Sequence, residues 1–300
     1  MRKLRYHLVD VFTGERFGGN PLAVFTNGRG VSTELMQQIA KELNLSETTF
    51  VLPPDDPADD WRVRIFTPAN EMPTAGHPTI GTAFVLAREH LVNITPETPT
   101  IRLEENVGVI PVTFDFDDHG HLLITMQQPL PRFGPVFDDR QGIADLLSLE
   151  AADLDDAPLE VVSCGVPFLI VPLRTLDAVA RVRYRLDVWE RLLRDFAAPQ
   201  ALVFARQAAR PEAHLHARMF APHMGILEDP ATGSAAGPLG CYLVRRGWAP
   251  ESPASFVCEQ GFEIGRPSFL HITIEHSGGQ ISRVRVGGQC VYIGEGAIEI

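Results

Sequence analysis

The chain has 300 residues, of which 45% are hydrophobic and 21% charged, the composition of an ordinary globular protein of about two domains. Its net charge of −12 argues against nucleic acid and against an anionic membrane surface, because both require a basic patch on the protein. Since we find no leader-like segment, no membrane-span pattern and no CxxC among the four cysteines, we expect a cytoplasmic protein with reduced thiols.

The first half of the chain alternates strand patterns with two helical patterns. An amphipathic helix is predicted over 32–44, with Ser32 as its cap. The stretch TIGTAFVLA at 79–87 has no polar face, which is typical of a helix buried on every side. Strands are predicted at 5–12, 61–68, 107–116 and 121–127, with a turn over 117–120.

The second half shows the same mixture. AAGPLGCYLV at 235–244 is again apolar or small all round, and LDVWERLLRDF at 186–196 predicts an amphipathic helix. Strands are predicted at 159–165, 167–173, 200–206, 215–221, 268–276 and 283–300.

These similarities form an internal duplication. Residues 62–89 and 216–246 both contain Arg-apolar-Phe-x-Pro, then a Gly-led turn, then an apolar helix. GGNPLAVF at 18–25 matches CGVPFLIV at 164–171, and ETTFVLPP at 47–54 loosely matches APQALVFA at 198–205. Three matches in the same order predict two copies of one unit.

We therefore predict an α+β fold of two duplicated halves, each a mostly antiparallel β-barrel around one central helix. The first half spans 1–128 and can be completed by a strand from about 286–300, and the second spans 129–285, with the boundary in the proline-rich segment 129–134. Small residues on the central helices would let strands approach them closely, namely Gly81, Ala83, Gly237 and Gly240.

The starts of the two buried helices are the predicted binding elements. A helix N-terminus carries unpaired N–H groups and partial positive charge, so a buried start requires a cap or an anionic ligand such as a carboxylate. Pro78 suits a first helical turn, and Pro238 places the first turn of the second helix near 235–238. Gly76-His77 and Gly233-Ser234 are then matched turns, expected to face a cleft between the halves.

Other site types are less well supported. TGSAAG lacks the lysine of a phosphate-binding loop, and Thr232 stands where a GxSxG nucleophile motif needs glycine. His214, His216 and His223 lack a carboxylate or cysteine at a metal-ligand spacing, so we predict no metal.

Four motifs in order resemble the PhzF family of phenazine-biosynthesis-like isomerases, which has the diaminopimelate epimerase-like fold. They are DVFTGERFGGNPLAVF, LNLSETTFVLP, RIFTPANEMPTAGHPTIGTAFVL and EDPATGSAAGPLGCYLV. The resemblance implies catalytic roles for Glu47 as acid/base, for His77 beside the substrate, and for Asp229 and Ser234. Around these residues it implies a substrate-binding set of Asn20, Ser46, Gly76, Pro78, Thr232, Gly233 and Ala235.

The resemblance also implies a reaction. We expect a cofactor-independent isomerase, tending to a homodimer, that shifts a proton between carbons of a small cyclic amino or hydroxy carboxylate such as trans-2,3-dihydro-3-hydroxyanthranilate. Epimerases of this fold use two cysteines, whereas Ala75 and Thr232 occupy those positions here. A single base, Glu47, therefore fits better. An epimerase or dehydratase in which Thr232 takes part, and a non-catalytic protein that binds a small carboxylate, remain the alternatives.

Overall fold

The computed structural model describes residues 2–116 and 120–300, so most of the turn predicted over 117–120 lies outside the described residues. The chain divides into two compact units. One unit is formed by Met1–Gln127 with Val286–Ile300, and the other by Gln128–Arg285.

Within the described residues up to 128 there are eight strands and two helices. They are β1 Lys3–Val11, β2 Asn20–Phe25, α1 Thr33–Leu43, β3 Glu47–Leu52, β4 Trp61–Phe66, β5 Glu71–Met72, α2 Gly76–Arg88, β6 Thr100–Glu105, β7 Gly108–Phe116 and β8 Leu122–Gln128.

The remaining elements are ten strands, four α-helices and short 3₁₀ turns. They are β9 Arg132–Val136, α3 Arg140–Leu147, β10 Glu160–Ser163, β11 Pro167–Pro172, α4 Leu176–Arg181, α5 Leu186–Leu192, β12 Ala201–Ala205, β13 Leu215–Ala221, β14 Ile226–Asp229, α6 Gly233–Arg245, β15 Ala254–Gln260, β16 Ser268–Ser277, β17 Gln280–Gly288 and β18 Cys290–Glu299, with 3₁₀ turns at Ala151–Asp153, Pro222–Met224 and Phe262–Ile264.

Strand pairing in the first unit is mostly antiparallel. β1 lies antiparallel to both β2 and β18, so the end of the chain completes this unit's sheet. β2 runs parallel to β3, β3 antiparallel to β4, and β4 parallel to β6. β6, β7 and β8 then form an antiparallel series.

The second unit repeats this order of pairings. β10 is antiparallel to β9 and β11, β11 parallel to β12, and β12 antiparallel to β13. β13 is parallel to β15, which is antiparallel to β16. The predicted α+β fold of two duplicated halves is confirmed.

A buried helix lies at the centre of each unit. α2 contacts β1, β2, β3, β7 and β18, and α6 contacts β10, β11, β15 and β16. Gly81 shows why small residues are needed, because a Cβ there would lie 2.6 Å from Cδ2 of Leu22 and 2.7 Å from Cγ2 of Val11. The prediction of two all-round buried helices is confirmed.

The outer helix α1 is amphipathic, as its sequence predicts. Ser32 accepts a hydrogen bond from the Leu35 N–H at 3.3 Å and caps the helix. Its buried face includes Met36 and Ile39, which pack with Phe25 and other residues of one hydrophobic cluster. The buried face therefore holds the helix on the sheet of the first unit.

Two local predictions require correction. α6 begins at Gly233, so Pro238 is the sixth residue of the helix rather than part of its first turn. The ring of Pro238 removes the N–H that would bond to the carbonyl of Ser234, which a helix tolerates when tertiary packing holds it. The second difference is that the sequence patterns did not predict the helices α3 and α4 or seven of the strands, namely β2, β3, β5, β6, β9, β14 and β15.

The described helices include none with the length and hydropathy that crossing a membrane requires.

Candidate active site

The first unit brings Asn20, Glu47 and His77 together. Asn20 is the first residue of β2 and Glu47 the first of β3, and these strands are parallel neighbours in which Leu22 pairs with Glu47. His77 is the second residue of α2, which packs on both strands. The sheet and the central helix therefore place the three side chains at one end of the unit.

The His77 ring lies between the other two side chains. Its Nδ1 is 3.1 Å from the amide nitrogen of Asn20, and its Nε2 is 3.2 Å from Oε2 of Glu47. Burial lowers the pKa of His77 to about 3, which keeps the ring neutral. Because the Asn20 amide donates to Nδ1, the single ring proton is on Nε2, the ring nitrogen close to Glu47, although the geometry there does not make a hydrogen bond.

The start of α2 provides further polar groups. Its N-cap residue, Ala75, makes no side-chain capping bond, and Gly76 and His77 are both buried. Pro78, the third helical residue, has no N–H and so removes one unpaired donor from the turn. Ser46 directly precedes Glu47 and is only partly buried. The turn is thus a buried, positively polarised helix end beside a carboxylate.

In the second unit Asp229, Thr232 and Gln260 form one hydrogen-bonded group. The Thr232 hydroxyl donates to Oδ2 of Asp229 at 2.5 Å. The Gln260 amide nitrogen donates to the Asp229 carbonyl at 2.7 Å and to the Thr232 hydroxyl at 2.9 Å. Gln260 Oε1 accepts from the Thr232 N–H at 3.1 Å, so the approach to α6 is held by side chains.

The predicted residues at the start of α6 have different surroundings. Gly233 is buried and its carbonyl accepts from the Gln128 amide at 2.8 Å. Ser234 is the second helical residue and is partly exposed. The Ala235 N–H bonds to the Thr232 carbonyl at 3.0 Å, so this amide already has a protein partner.

Strand register identifies which residues of the two units correspond. Ala23 pairs with Thr48 in the first unit, and Leu169 pairs with Ala201 in the second. Glu47 therefore corresponds to Gln200, the residue before Ala201, and the loose sequence match that placed Glu47 opposite Ala198 is wrong by two residues. By the same register Asn20 corresponds to Val166, and His77 corresponds to Ser234 as the second residue of its helix. The carboxylate and its neighbours are found in one unit only.

A second correspondence was missed from the sequence. Arg62 pairs with Glu104 and His216 with Glu259, so Glu105 and Gln260 follow at matched positions. Extending the repeat alignment to LEEN at 103–106 and CEQG at 258–261 would have found both. Glu105 contacts Thr74 and Thr79 at the start of α2, and Gln260 contacts Thr232 at the start of α6.

His216 and two of the cysteines lie among other partners in the second unit. His216 contacts Glu259 and Glu263 through its two ring nitrogens, at 2.7 and 2.9 Å. Cys164 and Cys241 lie with sulfurs 3.9 Å apart in the buried interior of the second unit. Within 2–116 and 120–300, no group of His, Cys, Asp and Glu side chains has an arrangement that could hold a metal ion.

Comparison with known proteins gives a consistent result. The model of the family described as phenazine biosynthesis-like protein, PhzC-PhzF, matches residues 9–296. A relative from Pseudomonas aeruginosa named trans-2,3-dihydro-3-hydroxyanthranilate isomerase is 38% identical over 292 residues, which are 97% of this chain and 98% of the relative.

Solved structures agree. The crystal structure of a PhzF family phenazine biosynthesis protein from Bacillus anthracis matches with a TM-score of 0.91 and 27% identity, covering 100% of both chains. A probable proline racemase from Agrobacterium radiobacter matches with a TM-score of 0.69 at 11% identity, covering 99% of this chain and 93% of that one. The second likeness concerns the fold alone. This chain belongs to the PhzC-PhzF family of phenazine biosynthesis-like proteins and is a PhzF-like isomerase.

Proposed function

We propose that the protein shifts a proton between two carbons of a small cyclic amino or hydroxy carboxylate, with Glu47 as its single acid/base group. The observation that carries the proposal is the contact between Glu47 and a neutral, buried His77 at a helix start. A substrate like trans-2,3-dihydro-3-hydroxyanthranilate is supported by the name of the Pseudomonas aeruginosa relative.

Glu47 has the surroundings that an acid/base group requires. Its side chain is 11% exposed, so the carboxylate is largely shielded from bulk water but still accessible to a small molecule. The carboxylate would take a proton from one carbon, breaking a C–H bond and forming an O–H bond. It would then return the proton to a second carbon as the double bond moves, leaving the enzyme unchanged. A positioned acid/base group of this kind contributes about 10²–10⁴ in rate.

His77 and the start of α2 would act as hydrogen-bond donors. Nε2 of the neutral ring carries the proton and lies 3.2 Å from Oε2 of Glu47, but it makes no hydrogen bond to the residues that the structure describes. It can donate to negative charge on the substrate once Glu47 is protonated. The N–H groups of Gly76 and His77 would orient the substrate carboxylate. The steps require proton transfer alone, so the proposal includes no cofactor.

The asymmetry between the units favours one base over two. The residue that corresponds to Glu47 is Gln200, an amide that cannot accept a proton at neutral pH. Burial raises the pKa of Cys258 and Cys290. These thiols therefore stay protonated near neutral pH, and a protonated thiol is a poor nucleophile and a poor base. Joint action of Asp229 and Ser234 on the same substrate stays a prediction.

The test is turnover of trans-2,3-dihydro-3-hydroxyanthranilate in deuterated water by wild type, Glu47→Gln and the exposed control Glu42→Gln. We expect a loss of about 10²–10⁴ in kcat for Glu47→Gln and none for the control. Partial return of the original proton to product would indicate a single base. Undiminished turnover by Glu47→Gln would remove Glu47 from its role. Binding that raises the melting temperature without turnover in wild type would favour a non-catalytic carboxylate-binding protein.

We also propose a cytoplasmic homodimer. The four free cysteines fit a reducing compartment, and the family resemblance supports the dimer. Light scattering of the purified protein tests the assembly, and a mass of about 33 kDa would contradict it.

A further inference from the structure

Glu105 is a buried carboxyl group that the proposed mechanism does not use. It is the last residue of β6 and is 4% exposed. The Thr74 hydroxyl lies 2.5 Å from its Oε2, and the Thr79 hydroxyl makes a short contact with its Oε1. Thr74 precedes α2 and Thr79 belongs to the first turns of that helix, so Glu105 joins the two sides of the turn that carries His77.

The number of protons available for hydrogen bonding around Glu105 indicates whether this carboxyl group is protonated. The Thr79 hydroxyl has one proton but contacts two oxygens, Oε1 of Glu105 and the Ala75 carbonyl, the latter at 2.6 Å. A second proton is needed if both contacts are hydrogen bonds, and the carboxyl of Glu105 is the group that can supply it. Thr79 then donates to Ala75, protonated Glu105 donates to Thr79, and Thr74 donates to Glu105.

The matched position in the second unit supports the same reading. Gln260 corresponds to Glu105 through the strand register and is neutral by its chemistry. Its amide both accepts from Thr232 and donates to Thr232 and Asp229, at the residues that precede α6. Glu105 and Gln260 are thus matched side chains that contact the start of the central helix in their unit. In this interpretation both are neutral, and both donate and accept hydrogen bonds.

We propose that Glu105 is held as a neutral carboxylic acid whose hydrogen bonds position the start of α2 and the His77 ring. The inference rests on the proposed function, in which His77 acts beside Glu47. Glu105 is a positioning residue, because it acts through Thr74 and Thr79. When Glu105 loses its proton, it can no longer donate a hydrogen bond to Thr79. The turn before α2 is then held by one hydrogen bond fewer.

The electrostatic surroundings agree with a neutral group. Burial raises the pKa of Glu105 to about 7, although its two threonine partners lower it. His77 is the titratable group on α2 nearest the turn, and it is neutral. The charged groups that line the adjoining cavity are Asp55, Asp56, Asp59, Arg62 and Glu104. Burial, rather than these neighbouring charges, is the main cause of the raised pKa of Glu105.

Infrared spectroscopy of wild type and Glu105→Gln between pH 5 and pH 9 tests the protonation directly. We expect a carboxylic-acid carbonyl band in wild type that disappears as the pH rises through about 7 and is absent from Glu105→Gln. The exposed control Glu42→Gln should keep the band. Thr79→Val removes the hydroxyl that accepts the hydrogen bond from Glu105. In this variant the carboxylic-acid carbonyl band should shift to higher frequency. A wild type without this band at pH 5 would overturn the proposal.

The positioning role is tested by the pH dependence of kcat and by amide hydrogen exchange at 74–77. Glu105→Gln should keep kcat within about threefold at pH 6 and lack the decline of wild type above about pH 7. Protection of these amides should fall with pH in wild type and stay level in the variant. A folded Glu105→Gln with a hundredfold lower kcat would contradict the proposal. Infrared and exchange data decide it even if the substrate assignment fails.

Discussion

Nε2 of His77 lies 3.2 Å from Oε2 of Glu47, while its Nδ1 is 3.1 Å from the Asn20 amide nitrogen. The amide at Nδ1 sets the ring tautomer, and this tautomer has its proton on Nε2, the nitrogen 3.2 Å from the carboxylate. Asn20 therefore influences the acid/base group through the His77 ring.

Replacing Asn20 by aspartate should reverse the tautomer of His77. A carboxylate near Nδ1 attracts the ring proton and raises the pKa of His77 from its value of about 3. We expect kcat/KM to fall by about 10–100-fold, within the range that such proton-transfer contacts contribute. Nitrogen NMR of labelled histidine gives the tautomer. The exposed Asn27→Asp is the control, and an unchanged ring signal with full activity would refute the prediction.

The stability of the second unit should depend on pH through His216. Burial lowers its pKa, but hydrogen bonds to Glu263 and Glu259 raise it more, so the net shift is upward. A raised pKa means that the charged ring stabilises the fold below about pH 6.5, and this contribution is lost as the pH rises through the folded pKa. In urea unfolding between pH 6 and pH 9, the free energy of unfolding should decrease more steeply with pH for wild type than for His216→Gln. The exposed His90→Asn should follow wild type, and parallel curves for all three proteins would contradict this account.

Gly81→Ala should destabilise the first unit. The added Cβ would lie 2.6 Å from Leu22 and 2.7 Å from Val11, both of them fully buried. Overpacking typically lowers the free energy of unfolding by about 1–3 kcal/mol. The better helix propensity of alanine offsets up to ~1 kcal/mol of this loss. Thermal unfolding measures the difference, with Gly294→Ala as control because a Cβ there meets nothing within 4 Å. Equal melting temperatures for the two variants would mean that the strands can move away from α2.

Thr232→Val should weaken the second unit more than Thr232→Ser. Valine removes the hydrogen bond to Asp229 and the one from Gln260, whereas serine keeps the hydroxyl. A buried polar group that loses its hydrogen-bond partner costs about 1–3 kcal/mol, and chemical unfolding should show this for valine. If Thr232 instead takes a direct part in the chemistry, as in the epimerase alternative, valine would abolish deuterium exchange while leaving the unfolding midpoint unchanged.

Much of the fold follows from local pattern. The central helices have no polar face, and only a fully buried position satisfies such a sequence. Repetition of the Gly-x-Pro and Arg-x-Phe-x-Pro segments predicted the duplicated pairings, because similar sequences fold into similar units. Missed strands such as β9, which carries a glycine and a proline, and β15 are held by pairing with β10 and β13 rather than by strong alternation.

The sequence by itself determined the family, the repeat and the candidate residues Asn20, Glu47 and His77, because each lies in a motif that can be read locally. Tertiary structure decided that the His77 ring lies between the other two, and that Glu105 supports the same turn from about thirty residues away. The reason is physical. Burial and strand register set the protonation and contacts of these groups, and both depend on which distant strands pair.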